Sequence, residues 1–336
     1  MHYITTKNSL IHREGDQMLR KLILILMLGI SAFAGAQTWP VKSIKLIIPF
    51  PPGGGNDSLG RLIGQKLGDA LGQPVVVDNR AGAGATIGTE VAAKSPADGY
   101  TLLFSSITTH ALAPALYAKL GYDPIKDFVP VSVVALAPTV LVVGPHVKAT
   151  SLPALIGLAK ASPGKMTFAS GGNGAAPHIA GELFKAVAGV DLLHIPFRGG
   201  GPASLAIMAG DVDMMFDTTA SAMPHVKSGK LRALALATAA RSPDYPSLPT
   251  FIEGGTNGYE FNSWYSLHAP AGTPKPIVDR LRAEIEAILK TPEMRSRIKA
   301  FGADPSNISG DAFAEFQQAE LNKYTRLIKA ANIKLE

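Results

Sequence analysis

The run Pro51-Pro52-Gly53-Gly54-Gly55-Asn56-Asp57 is the first place in this chain where residue types and spacing suit chemistry. An apolar stretch, Leu46 to Phe50, stops at the two prolines. Leu59, Leu62, Ile63, Leu67 and Leu71 then recur at helical spacing. That order reads as strand, tight loop, helix. A helix opened by glycines leaves its first N–H groups without intrahelical acceptors, and the helix dipole adds partial positive charge there. The chemistry on offer is anion binding by the loop Pro51–Asp57, with no lysine or arginine required. A tight turn without a ligand is the competing reading of any single loop of this kind.

A second loop, Ser170-Gly171-Gly172-Asn173-Gly174, also ends a strand and opens a helix, and Ser170 and Asn173 add hydroxyl and amide donors. Two such loops at the same stage of two successive α/β segments argue more strongly for a site than one. Further polar residues end other strands: Ser105 and Ser106 with Thr108 and Thr109, then Arg198, then Asp217 with Thr218 and Thr219. Arg198 suits a carboxylate partner or a surface ion pair, and the sequence leaves both open. Asp57 and Asp217 can be imagined as an acid–base pair, but structural roles rank above that, with Asp57 at the positive end of its own helix.

Conventional catalytic patterns are missing. There is no Gly-x-Ser-x-Gly, no His-Glu-x-x-His and no Walker A ending. Gly82-Ala83-Gly84 with Gly88 has the wrong last spacing for a dinucleotide fingerprint and follows a turn at Asn79-Arg80. His110, His178 and His194 are too far apart for a local metal motif, and His178 reads as a residue that caps or packs near a helix start. No catalytic residue, cofactor or metal is expected.

The elements that must position these loops alternate. Short apolar strands are expected at 45–50, 75–77, 101–105, 166–169, 192–197, 212–216 and 232–237, with longer strands at 128–136 and 139–143 interrupted near Pro138. Helical patterns lie between them, and 276–289, 292–301 and 310–331 are helical. Trp264 and Tyr265 lie in a strand-like run and can line a cleft or pack. The alternation implies a parallel sheet with helices on both faces, and ligands in such folds sit at the C-terminal strand ends. The expected fold class is α/β with two similar lobes: 37–138 plus 263–336 as lobe 1, and 139–262 as lobe 2.

The 336-residue chain has no cysteine and a formal net charge of +6. A cysteine-free chain needs neither disulfides nor thiolate metal sites, which suits export without proving it. Arg20-Lys21, the apolar run Leu22 to Ile30 and Ala34-Gly35-Ala36 form a signal-peptide pattern over 18–36, with cleavage near Ala36. Residues 1–17, polar and ahead of Met18, read as an upstream extension of the gene. Removing 36 residues from 336 leaves 300, and removing their charge of +2 leaves +4. This mild charge shows no basic cluster interleaved with aromatics, so nucleic acid is not an expected partner.

Several blocks together resemble one family: KLIIPFPPGGGNDSLGR (45–61), the stretch 71–103, ASGGNGAAPHIAGELF (169–184), LLHIPFRGGGPA (192–203), the stretch 211–238 and SWYSLHAPAGTPKPIVDRL (263–281). From about Trp39 onward, in the same order, they are similar to the Bug family of extracytoplasmic solute receptors, the binding proteins of tripartite tricarboxylate transporters. The resemblance implies a type II periplasmic binding fold whose two lobes close on a small carboxylated solute. It further implies that backbone amides of Phe50–Asp57 and Ser170–Gly174 grip one carboxylate, with Ser105, Ser106, Thr109, Arg198 and Asp217 at other cleft positions. Arg198 stands where the family usually has lysine, and Gly171 where a serine is common. A periplasmic monomer delivering solute to membrane permease subunits is the implied role. A sensor receptor docking on a histidine kinase, or an enzyme of the same fold, are the rivals.

Overall fold

Leu46, Ile47 and Ile48 fall in a strand with no exposed apolar residue, β1 (Ile44–Ile48), because helices cover the sheet on both faces. The computed structural model describes residues 39–306 and 308–333. The signal-peptide pattern at 18–36 and the extension at 1–17 lie outside the described residues. The described residues from 42 to 333 form one compact unit.

After β1 come α1 (Gly55–Leu71), β2 (Val75–Asn79), α2 (Thr86–Ala93) and β3 (Thr101–Ser106). A π-helical turn (Thr108–Leu112) leads into the short α3 (Ala113–Leu116) and then β4 (Phe128–Val143). The next stretch holds α4 (Leu152–Ala161), β5 (Thr167–Ser170), α5 (Ala176–Ala188), β6 (Leu193–Pro196), α6 (Gly200–Ala209), β7 (Met214–Thr218), α7 (Thr219–Lys227) and β8 (Arg232–Leu236). The chain closes with β9 (Asn262–Pro270), α8 (Lys275–Lys290), α9 (Pro292–Ala300), β10 (Asp304–Pro305) and α10 (Gly310–Ala330).

The expectation of a parallel sheet needs correction. β2, β1 and β3 are parallel to one another, as are β6, β5 and β7, but β9, β4, β8 and β10 pair antiparallel. The expected break near Pro138 is also absent: β4 is one strand of 16 residues. Proline removes a ladder donor, and here it stands where β4 changes partners. Pro138 is the last residue paired to β9, and Thr139 the first paired to β7. The two lobes of the fold therefore share a continuous strand. The core is continuous as well, running from Val133 and Trp264 to Leu141, Phe168 and Phe216.

α10 fastens this region. Phe313, Gln317, Tyr324 and Ile328 share its buried face at helical spacing. The Tyr324 hydroxyl donates to the Asn262 carbonyl at 3.2 Å, and the Trp264 indole donates to Glu320 at 3.1 Å.

The Gly82–Gly88 run has a packing explanation. A Cβ on Gly88 would lie 2.4 Å from the Arg80 carbonyl oxygen and 2.9 Å from the Pro49 Cα. α2 thus sits directly on backbone that leads into the first loop. Replacing Gly88 with Ala forces backbone apart, and overpacking of this kind costs about 1–3 kcal/mol. Urea unfolding should show a loss in that range; a midpoint indistinguishable from wild type would reject the close-approach account.

Candidate functional site

Four helices begin at the same cleft. Gly54, Gly55 and Asn56 open α1, Ala175 to Pro177 open α5, Gly199 to Pro202 open α6, and Thr218 with Ser221 open α7; all of them line one cavity of 630 Å³. Each helix brings unsatisfied N–H groups and about half a unit of positive charge to its start. Of these four, only α7 carries a side-chain cap, the Thr218 hydroxyl accepting from the Ser221 N–H at 3.3 Å; Gly54, Ala175 and Gly199 offer none. The first turns of α1, α5 and α6 therefore face the cleft uncapped. Among the described residues, Arg198 and Asp217 are the only charged side chains in the wall. A wall of this composition is chemically suited to an anion held by backbone N–H groups.

Of the residues anticipated from sequence, Phe50, Gly54, Gly55, Asn56, Ser106, Gly171, Gly172, Asn173, Arg198 and Asp217 line this cavity. Gly53, Asp57, Ser105, Thr109, Ser170 and Gly174 are not in its lining, and for most of them a hydrogen bond shows why. The buried Asp57 carboxylate accepts from the Gly53 N–H at 3.0 Å, from Arg61 Nε at 3.0 Å and from Asn79 Nδ2 at 2.9 Å. Asn79 Nδ2 also donates to the Phe50 carbonyl at 3.0 Å, so both ends of the loop are tied down. Burial alone would raise the Asp57 pKa, but the bonds from Arg61, Asn79 and Gly53 together hold it below the usual carboxylate value.

Behind the second loop stands a stacked histidine pair. The His178 and His194 ring centroids are 4.0 Å apart. The Ser170 hydroxyl lies 2.6 Å from His194 Nε2 and accepts the Gly172 N–H at 3.1 Å, while His178 Nδ1 accepts the Gly174 N–H at 3.1 Å. His178 thus packs near the start of α5 and holds an amide of the loop before it, not one of the helix's own first turn. The amides of Gly172 and Gly174 are occupied within the protein, which corrects the expectation that both serve a ligand. Burial, with His178 and Lys185 nearby, pushes His194 down to about 3.

The other lobe repeats the device. His110 stacks on His268 at 4.0 Å, and His268 Nδ1 lies 2.9 Å from the Ser105 hydroxyl, which also lies 2.8 Å from that of Ser266. The Thr109 hydroxyl donates to the Ser106 carbonyl at 3.0 Å. Ser105 and Thr109 therefore support Ser106, whose own hydroxyl oxygen is buried in the wall without a protein partner. The Asn56 side-chain oxygen is in the same condition.

Asp217 is 7% exposed and accepts the Thr218 N–H at 2.7 Å. Burial pushes its carboxyl up to about 6, against hydrogen bonds from Ser221 and Thr218 that oppose the rise. A folded-state value above the ordinary 3.8 means that stability is present in full below that value and is lost as pH rises through about 6. Asp217→Asn should therefore be more stable than wild type near pH 8 by on the order of 3 kcal/mol, and no more stable near pH 4. Urea unfolding at the two pH values checks this; equal gains at both would reject it.

Tyr117, the Ala81–Ala85 loop and Gly200-Gly201 also line the cleft, and the sequence did not mark them as site residues. The glycines at 199–201 repeat the signal of 53–55, and that was the available clue. The lobes also meet here. A Cβ on Gly199 would lie 2.5 Å from Pro51 Cγ across the cleft, and one on Gly84 would lie 3.1 Å from the Asn173 carbonyl oxygen. Gly199 further has φ +111, where L side chains are strained.

The chain is similar to known proteins along most of its length. The family model described as "Tripartite tricarboxylate transporter family receptor" matches residues 59–333. Protein BugT of Bordetella pertussis is 38% identical over 315 residues, covering 94% of this chain and 97% of that protein. The solved structure of R. palustris Rpa4515 with adipate superposes with a TM-score of 0.85 at 35% identity, covering 88% of this chain and 99% of that one. MatC from Rhodopseudomonas palustris with bound malate gives 0.82 at 32% identity, covering 86% and 100%.

Proposed function

The chain belongs to the tripartite tricarboxylate transporter receptor family, and from that premise we propose that it captures a small carboxylated organic solute in the cleft and delivers it to membrane permease subunits. The observation that carries this reading is the convergence of uncapped helix starts on a wall whose one cation, among the described residues, is Arg198. Such a wall satisfies a carboxylate with amides, which cost no reorganisation when the solute arrives. The relatives described with adipate and malate support carboxylate as the ligand class. The grip falls to Gly54, Gly55 and Asn56 on one lobe, and to Gly171 and Asn173 with the start of α6 on the other. The receptor works in the periplasm after removal of residues up to Ala36 and performs no turnover. Lobe 1 is 37–138 with 263–336, and lobe 2 is 139–262.

Closure of the lobes around the solute is the working step, since a ligand shifts the open–closed balance by its differential affinity. Titration calorimetry with a panel of carboxylates, run beside a product assay, tests the reading. Stoichiometric binding without product is expected; conversion of any panel member would overturn it.

The Pro51–Gly199 contact gives a second check. Gly199→Ala should weaken carboxylate binding at least about tenfold, or about 1.4 kcal/mol, by holding the lobes apart. Adding Pro51→Gly removes the clash but leaves the strain at residue 199. Recovered affinity in the double variant assigns the loss to closure, and unrecovered affinity assigns it to backbone strain.

A further inference from the structure

The gripping amides and the one buried acid of the wall are close neighbours. A Cβ on Gly55 would lie 2.8 Å from the Tyr265 hydroxyl and 3.9 Å from Thr218 Oγ1. Tyr265 itself reaches Thr218 Oγ1 at 3.4 Å, and Thr218 is bonded through its N–H to the Asp217 carboxylate. Gly55, Asn56 and Asp217 line the same cavity, so a solute carboxylate held on the Gly55 and Asn56 amides shares that cavity with the buried Asp217 carboxylate. Two carboxylates sharing a site raise the pKa of one of them and so favour its taking a proton.

We propose that Asp217 takes up one proton from solvent when a carboxylate solute binds, so that this receptor captures its ligand as a carboxylate-plus-proton pair. The inference rests on the carboxylate reading above. The step is a proton transfer alone: a proton leaves the buffer acid and bonds to the Asp217 carboxylate, and the receptor–ligand complex gains one positive charge.

The surroundings favour Asp217 over any other group. On β4 its partner is the uncharged Val140. Tyr265 of β9 is pushed up to about 12, chiefly by burial with the Asp217 charge adding to it, and stays neutral. Asp57, in the first turn of α1, is committed to Arg61 and Asn79. α6 carries no titratable residue, and the His225 and Lys227 of α7 stand at its far end. Arg198 is exposed on the wall and forms no ion pair with another described residue. Burial already holds free Asp217 near 6, so a second negative charge raises it further.

Below about pH 5 Asp217 is protonated with or without ligand and adds no pH dependence of its own to the affinity. Above about 6, the free acid is ionised while the bound one is not, so affinity falls about tenfold per pH unit until the bound-state value is reached.

The test is titration calorimetry near pH 7.5 with malate, adipate and benzoate, each in phosphate and in Tris, whose ionisation enthalpies differ. The proposal expects a buffer-dependent enthalpy corresponding to between about 0.5 and 1 proton taken up. It also expects none in Asp217→Asn, whose amide mimics the protonated acid and whose affinity should not vary with pH. Binding with the same enthalpy in both buffers overturns the proton linkage and leaves the receptor reading intact. Uptake that persists in Asp217→Asn overturns the assignment to this residue. No binding of any of the three acids in either buffer defeats the carboxylate reading, and this inference with it.

Discussion

Gly54→Val should lose carboxylate affinity by at least about 100-fold, or about 2.8 kcal/mol, while keeping its fold. Gly54 has φ −88 and ψ 173, an extended conformation open to any residue, and a Cβ there meets nothing within 4 Å. The protein thus has room for the side chain, but that room is the cleft. An isopropyl group on the residue before α1 lies over the amides of Gly55 and Asn56, where a carboxylate would sit. The stability cost is confined to a poorer helix cap, about 1 kcal/mol or less. Calorimetry and urea unfolding separate the two effects. Unchanged affinity in the folded variant would reject the amide grip outright.

Asp57→Ala acts in the opposite way, on the fold first. The substitution strands the Gly53 N–H, Asn79 Nδ2 and Arg61 Nε, which all donate to this carboxylate. Losing a buried charge with several hydrogen bonds costs on the order of 3–5 kcal/mol, reduced here because the Arg61 side chain is 52% exposed and can rehydrate. A loss of about 2–3 kcal/mol at neutral pH is expected. Because the folded-state pKa of Asp57 is held low, its stabilisation is present above the ordinary carboxylate value and disappears as pH falls through the folded one. The gap between wild type and variant should therefore narrow in acid. A gap that holds constant from neutral pH into acid would show that Asp57 acts through packing and not through its charge.

The α/β class and the two lobes are legible because glycine loops recur at the ends of apolar runs, and local spacing records that. Mixed strand direction was not legible, since β9 inserts between β3 and β4 from far along the chain. The site divides along the same line. Phe50, Gly54 to Asn56 and Gly171 to Asn173 could be found because a loop that opens a helix must show its amides somewhere. Which polar groups turn inward instead was hidden, because their partners are distant. Ser105 answers to Ser266 and His268, Ser170 to His194, and Asp57 to Asn79. A sequence shows that a loop is polar, but not which of its groups the rest of the chain will claim.

The insertion of β9 also sets the order in which a newly made chain can finish its parts. β5 to β8 follow one another, and the sheet they build with the end of β4 is complete once residue 236 is available. β3 must wait: its Ser105 meets His268, 163 residues later, and until then its edge has no ladder partner on that side. Such an edge is a template for pairing with another chain, and long-range closure of this kind is slow. The first strands synthesised belong to the last sheet completed, so newly made chains are most exposed to aggregation between the emergence of β3 and the arrival of β9.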